Sequence, residues 1–299
     1  MKQFVKQLGI IAILAIIGLG FTTCDGDDDV GTGSNDSGNG GGTPGLRYYY
    51  EDDYCYVSMG TASATAIVIP SKCPDGHNVT AIGSGGFRTY YYPAAANISS
   101  ITIPDSVTYV GDFAFSGSGI WNNTPNNSVV YADKWAVGYK GTESEVNILE
   151  STVGIGNTAF FECTSLTGIT IPDSVTSIGG GAFDGCTNLT GITIPDSVTS
   201  IGGGAFDGCT SLTSIIIPVG VTSIGLVTFR NCTNLRSVTF EGSITSENLH
   251  QTAFGVSGGS GSGYGYIGDL RAKYLAGGPG TYTRPYTGIG STHVWTKQQ

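Results

Sequence analysis

The chain has 299 residues, 48 of them glycine, with only 12% charged residues and a formal net charge of −10. An apolar content of 39% is too high for a disordered chain, and an acidic balance without a Lys/Arg stripe excludes a nucleic-acid or anionic-membrane surface. Glycine-rich, charge-poor composition at this length points to β-rich repetition with many turns rather than to a compact helical enzyme.

Lys2 and Lys6 precede an uncharged, mostly apolar run from Leu8 to Phe21. That run is too short for a spanning helix, which needs about 20 residues, and a basic start before a short apolar stretch reads as an export signal. Cys24 follows directly, which resembles a lipoprotein signal in which the cysteine carries the lipid. Phe21 and Thr23 depart from the usual residues of such a signal, and a plain cleaved signal peptide or an uncleaved anchor are the alternatives. Residues 1–23 are therefore assigned to the signal and residues 24–45 to a flexible, acidic, Gly-rich tether with nothing to bury. Asp25, Asp27, Asp29 and Asp36 mimic an EF-hand spacing, but Val30 stands where the loop needs glycine, and a solvated spacer is the reading adopted.

A period of 23 residues carries the middle of the chain. Cys163, Cys186, Cys209 and Cys232 keep this spacing, as do Phe160, Phe183, Phe206 and Phe229. Thr164–Cys186 and Thr187–Cys209 differ only at Ser165 versus Asn188. A fixed period in the twenties is the signature of a solenoid. Each unit offers Leu166, Ile169, Ile171, Val175, Ile178 and Phe183 for burial, at about 1.5–3 kcal/mol each. Ordering the backbone costs about 1–2 kcal/mol per residue over the whole coil, so a lone coil cannot fold and must stack on neighbours.

Within a unit, Ile169-Thr170-Ile171 is a short strand closed by Pro172, and Val175 to Ile178 is a second strand stopped by glycines. Ala182 to Cys186 is expected to make one helical turn with Phe183 inward. Predicted core positions are Leu166, Ile169, Ile171, Val175, Ile178, Phe183, Cys186, Ile192, Ile194, Phe206, Cys209, Phe229 and Cys232. Weaker copies extend upstream, one split by an insertion over Ser71–Asn78. A longer insertion near 120–141 contains Val129-Val130-Tyr131 and Trp135 to Tyr139, read as a hairpin projecting from the solenoid. Tyr-rich residues from Leu46 to Met59 would cap the first coil. At the other end, Asp269–Ala276 reads as a helix and Tyr282 to Trp295 as a terminal hairpin.

The pattern Ile-x-Ile-Pro-x-x-Val-x-x-Ile-Gly-x-x-x-Phe-x-x-Cys at Ile169–Cys186 and Ile192–Cys209 resembles the BspA-type leucine-rich repeat, over about Ala66 to Phe254. The resemblance implies a β-rich leucine-rich-repeat solenoid, a right-handed α/β-type superhelix of 23-residue coils with short parallel strands and one helical turn per coil, capped at both ends. Residues 46–254 would form the solenoid with its N-terminal cap, and 255–299 a Gly/Ser linker with a helix–hairpin cap. It further implies a bacterial surface protein, exported and lipid-anchored to the cell envelope, with adhesion or host-protein binding in some members.

Chemistry is sparse. His77, His250 and His293 are far apart, and none has a Cys or His at H-x-x-x-H or C-x-x-C spacing, so no metal, cofactor or catalytic residue is assigned. The cysteine column reads as small buried hydrophobes, while Cys55 and Cys73 are left open as a pair. The rows Asp173/Asp196 and Asp184/Asp207 read as turn chemistry, interrupted by Val219 and Arg230. Binding remains. The outward rows Thr167/Thr190/Thr213/Arg236 and Thr170/Thr193/Ile216/Thr239 are solvated strand faces whose breaks, Ile216 and Arg236, are candidate contacts. The aromatic inserts Tyr90, Tyr91, Tyr92, Tyr131, Trp135 and Tyr139 are the better candidates, because nothing in a regular coil requires them, with packing against the solenoid flank as the safer reading. A protein ligand on a host or neighbouring cell is the leading expectation, a glycan the second, and a purely structural or antigenic coat the third. The membrane would be met only through the N-terminal lipid, and no nucleic acid is expected.

Overall fold

A computed structural model describes residues 41–51, 54–257, 264–266, 270–284 and 294–299. The signal, Cys24, most of the tether, residues 258–263 and 267–269 and with them the expected helix start at Asp269 lie outside these residues, whereas Gly255–Ser257 and Tyr264–Tyr266 of the expected Gly/Ser linker pair as antiparallel strands. The described chain forms two compact units. One comprises the residues up to Gly141 together with Thr152–Ala159, and the other comprises Thr142–Ser151 and Phe160 onward.

In the first unit, Arg47–Glu51 and Tyr54–Ser58 form an antiparallel hairpin whose second strand pairs in parallel with Val79–Ile82. Val79–Ile82 pairs in turn with Tyr109–Val110, and Ala66–Val68 pairs with Ser100–Thr102. These are two short parallel ladders from successive coils. The rings of Phe87 and Phe115 stack beneath them at 5.3 Å between centroids.

The insertion does not project as expected. After a short helix at Gly119–Asn123, Val129–Ala132 and Trp135–Tyr139 do pair, but around a tight turn at Asp133 and Lys134. Trp135–Tyr139 then pairs in parallel with Gly154–Ile155, so it is itself a coil strand. Trp135, Ala136 and Val137 are buried, and the Asp133 carboxylate accepts a 2.9 Å hydrogen bond from the Ile103 backbone N–H. A glycine opposite the indole, Gly154, gives the Trp135 ring its seat.

In the second unit, strand pairing follows the sequence period. Ile178, Ile201 and Ile224 stand opposite one another, as do Ile169 and Val146, and Ile215 and Val238. Phe160, Phe183, Phe206, Phe229 and Phe254 stack with centroid spacings of 5.0–5.4 Å. The predicted core positions are buried, with one exception: Ile192 is half-buried, and residues 189–199 carry no strand.

A second correction concerns the helical turn. Ala182 to Cys186 is a run of tight turns, in which alternate N–H groups leave the coil. Gly181, Phe183 and Gly185 donate to the carbonyls of Gly203, Ala205 and Asp207 one coil on, at 2.8–2.9 Å. Asp184 and Cys186 donate back three residues, to Gly181 and Phe183. This accounts for every backbone donor of the segment from Gly181 to Cys186, since Ala182 also donates back to Gly179. The geometry sets a left-handed residue two positions before and two after Phe160, Phe183, Phe206 and Phe229, and around Phe160 and Phe229 these residues are Thr158, Glu162, Val227 and Asn231. Around Phe183 and Phe206, Gly181, Gly185, Gly204 and Gly208 supply it with φ of 57°, 75°, 65° and 69°.

The C-terminal end of this unit is closed by the helix Leu270–Gly277 and the antiparallel strands Gly280–Thr283 and Thr296–Lys297, laid along Ser237–Phe240. The Phe240 ring sits 4.1 Å from Tyr274, whose hydroxyl donates to the Gly242 carbonyl and accepts from the Ile244 N–H. Buried Arg284 donates to the carbonyls of Leu235 and Thr233 and lies over the Trp295 ring.

Candidate binding surface

The tyrosine insert divides. Tyr92 turns inward and donates from its hydroxyl to Ser58 at 3.3 Å. Tyr90 and Tyr91 stay out, at 79% and 45% exposure, in a T-shaped pair 5.1 Å apart. The Tyr91 ring is seated against Gly85, where a β-carbon would collide with it. Phe113 extends the same patch, with 41% exposure. The Arg88 guanidinium lies 5.7 Å from both the Tyr90 and Phe113 ring centroids and bridges the two aromatics.

Phe113 occupies the position two before stacked Phe115 and holds φ at 50°; other coils fill it with Gly85, Gly181 or Gly204, and also with Thr158 and Val227 at 55° and 48°. An aromatic side chain in the left-handed region is strained by about 1–3 kcal/mol, and such strain concentrates at functional positions. The residue was not singled out from sequence. Its signal in the sequence was a large aromatic side chain two before Phe115, at a position that carries Gly, Thr or Val in the other coils.

The other predicted contacts fare differently. Trp135 is buried and is removed as a surface contact, while Tyr131 and Tyr139 are half-buried. Ile216 is 53% exposed, in a different unit from the tyrosines. Arg236 is half-buried, with its guanidinium donating to the Thr233 carbonyl and to Asn234. The Thr rows are partly spent on the stack itself. Thr167 Oγ1 donates to the Ser144 carbonyl and Thr190 Oγ1 to that of Thr167, each one coil back.

The cysteine column is built in. Cys186, Cys209 and Cys232 each donate to the carbonyl of the Phe in the previous coil, at 3.1–3.2 Å, and burial raises their thiol pKa values. For Cys186, the hydrogen bond to Cys163 is the larger cause. In the acidic row, Arg230 is a partner and not an interruption, because it pairs with Asp207. Burial and the neighbouring Asp207 carboxylate push Asp184 up to about 6.

One cluster escaped the search for metal spacings. Cys73, Asp75 and His77 alternate along a tight loop, and their donor atoms lie within 4.8 Å of one another. The spacing C-x-D-x-H is neither H-x-x-x-H nor C-x-x-C, and only the turn brings its members to one side.

The repeats decide the family. The BspA type leucine-rich repeat region matches residues 87–140 and 137–257, in six copies, over more than half of the chain. The chain belongs to this family. BspA-type repeats form the scaffold of surface proteins with binding or structural roles, and no catalytic family is indicated. No curated protein matches the sequence. Among solved structures, a leucine-rich repeat protein of T. pallidum is 25% identical, with 65% of this chain and 68% of that chain covered and a TM-score of 0.31. A leucine-rich cell surface protein of Faecalibacterium prausnitzii is 27% identical at a TM-score of 0.32, with 74% of this chain covering 58% of its length. The pneumococcal vaccine antigen PcpA is 14% identical at a TM-score of 0.42, with 74% and 85% covered.

Proposed function

We propose that this BspA-type repeat protein is a non-enzymatic adhesin, exported and lipid-anchored through Cys24, that engages a protein on a host or neighbouring cell. The patch Arg88–Tyr90–Tyr91–Phe113 is its contact surface. The observation that carries the reading is the joint exposure of Tyr90, Tyr91 and Phe113, with the Arg88 guanidinium lying over the Tyr90 and Phe113 rings. Tyr and Arg side chains are enriched among the few residues that carry most of the energy of an interface.

The test applies labelled protein lacking residues 1–24 to host epithelial cells and to unrelated bacteria. Tyr90→Ala/Tyr91→Ala/Phe113→Gly is expected to lower saturable binding at least about tenfold, the scale of a lost hot spot, while Ile216→Thr leaves it intact. Equal binding by the triple variant overturns the assignment of the patch. Loss after protease treatment of the cells supports a protein ligand, whereas loss only after glycosidase treatment favours a glycan. Absence of saturable binding to any cell leaves the structural-coat role as the better reading.

A further inference from the structure

We propose that Cys73, Asp75 and His77 form a binding site for one zinc-class divalent cation, with three protein ligands and a fourth position open to solvent.

The loop is organised before any ion arrives. Lys72 and Asn78 form an antiparallel bridge at its neck, the Cys73 N–H donates to the His77 carbonyl at 2.9 Å, and the Gly76 N–H donates to the Cys73 carbonyl at 2.9 Å. Gly76 makes the turn with φ of 93°. Residues 73, 75 and 77 therefore project from one side of a pinned hairpin, and the Asp75 carboxylate sits between the other two side chains. Its Oδ1 accepts from the Cys73 thiol at 2.7 Å and its Oδ2 meets His77 Nδ1 at 2.8 Å. The donors converge on a common point through protons that a metal ion would displace.

The chemistry selects the ion. One thiolate, one imidazole nitrogen and one carboxylate form a mixed S/N/O set, which suits a borderline-soft cation such as Zn²⁺ and not Ca²⁺ or Mg²⁺. Bond lengths of about 2.0–2.3 Å to such an ion place tetrahedral donors roughly 3.3–3.8 Å apart. The Asp75 carboxylate stands closer than this to its two neighbours, at 2.7 and 2.8 Å, and the exposed side chains of Asp75 and His77, at 40% and 47%, have room to open. Cys73 is buried at 4% exposure, so the sulfur is anchored while the other two ligands face the entry path. Cys55 lies within hydrogen-bonding reach of Cys73 but does not share the donor cluster. Lys72 is the nearby opposing charge, and its ammonium is engaged by the Gly76 carbonyl at 3.0 Å and by the Asn78 side chain.

The experiment titrates the reduced full-length protein with ZnCl₂ by calorimetry and with Co²⁺ by absorption, where a thiolate ligand gives a near-ultraviolet charge-transfer band. The expected result is one ion per chain, a Co²⁺ thiolate band, and affinity lowered at least about tenfold by His77→Ala and by Asp75→Asn, in line with loss of a ligand. Cys73→Ser is expected to abolish the band, while Cys55→Ser and the distant Cys186→Ser retain it. Because Asp75 and His77 are exposed, their variants keep the test open if Cys73→Ser does not fold. Absence of saturable binding, binding indifferent to His77→Ala, or a Cys55–Cys73 disulfide in protein isolated from the cell envelope overturns the proposal.

Discussion

Arg230 reaches back one coil to Asp207. Its Nε donates to Oδ2 at 2.7 Å, a second guanidinium nitrogen shares the same oxygen, and Asn231 donates to Oδ1 at 3.1 Å. The Asp207 side chain is only 6% exposed, whereas Arg230 keeps 29%. The carboxylate therefore depends on this partner for compensation of its burial. Removing one member of a buried pair costs about 3–5 kcal/mol, and the partial exposure of the arginine lowers that figure. Arg230→Ala is expected to lower unfolding free energy by about 2–3 kcal/mol, read from urea denaturation at pH 7. Arg230→Met combined with Asp207→Asn is expected to recover most of the loss. A loss below about 0.5 kcal/mol would show that solvent already compensates Asp207.

Asp184 lies one coil before Asp207 and titrates the opposite way from a salt-bridged acid. Burial, the Asp207 charge and the Glu162 charge raise its pKa from 3.8 to about 6, against the pull of Arg230. The folded state thus holds a proton that the unfolded chain releases, and stability falls as pH rises from about 4 to about 6. Below that window both states are protonated and the group contributes no pH dependence. Asp184→Asn is expected to stabilise the protein by about 1–2 kcal/mol at pH 7 and by nothing measurable at pH 3.5. A pH-independent difference between variant and parent would rule out this ionisation as the cause.

The limits of reading this fold from sequence lie in particular residues. The opposition of Ile178, Ile201 and Ile224 and the stack of Phe183 on Phe206 follow from a period kept without insertion, because equal spacing fixes register. The ladder at Gly168–Thr170 and its absence around Ile192 do not follow, since the two windows are almost identical. Their difference lies in the neighbours: Gly168 backs onto the Glu145 carboxylate, while Gly191 meets open space. Sequence leaves Trp135 open between a surface contact and flank packing, because its seat, Gly154, is distant in sequence and belongs to the next coil. The candidate patch was half legible. An unexplained tyrosine run marks an insert, but only coordinates separate outward Tyr90 from inward Tyr92 and bring Phe113 beside Arg88.

The left-handed positions flanking Phe160 and Phe206 make a prediction of opposite sign at two sites. Glu162 is exposed and holds φ at 55°, at the position Gly185 and Gly208 fill in the following coils. Glu162→Gly removes the left-handed penalty and also a negative charge near Asp184, and is expected to stabilise by about 1 kcal/mol. Gly204 has φ of 65°, and a β-carbon there would meet nothing closer than 3.9 Å. Gly204→Ala therefore tests conformation alone, without a clash, and is expected to cost about 1–2 kcal/mol. Equal thermal midpoints for the parent and both variants would mean that the turn segment relaxes freely.

The thiol column predicts an order of chemical reactivity. Cys163 is half-buried, and the hydrogen bond from Cys186 holds its pKa below the usual thiol value despite burial. Cys186 is raised in turn, first by that hydrogen bond and then by burial, so the first proton of the pair leaves from Cys163. Burial, with the nearby Asp184 and Asp207 carboxylates, pushes Cys209 up to about 12, and burial raises fully enclosed Cys232. At pH 8 a thiol of pKa near 12 is thiolate in only about one molecule in ten thousand, and the thiolate is the reactive form. Iodoacetamide at pH 8 is expected to modify Cys163 first in the native repeat array, with Cys186, Cys209 and Cys232 protected until urea unfolds the coils. Peptide mass spectrometry across a time course reads the order directly. Modification of Cys209 or Cys232 at the rate of Cys163 would mean that the stack opens between coils far below its global unfolding transition.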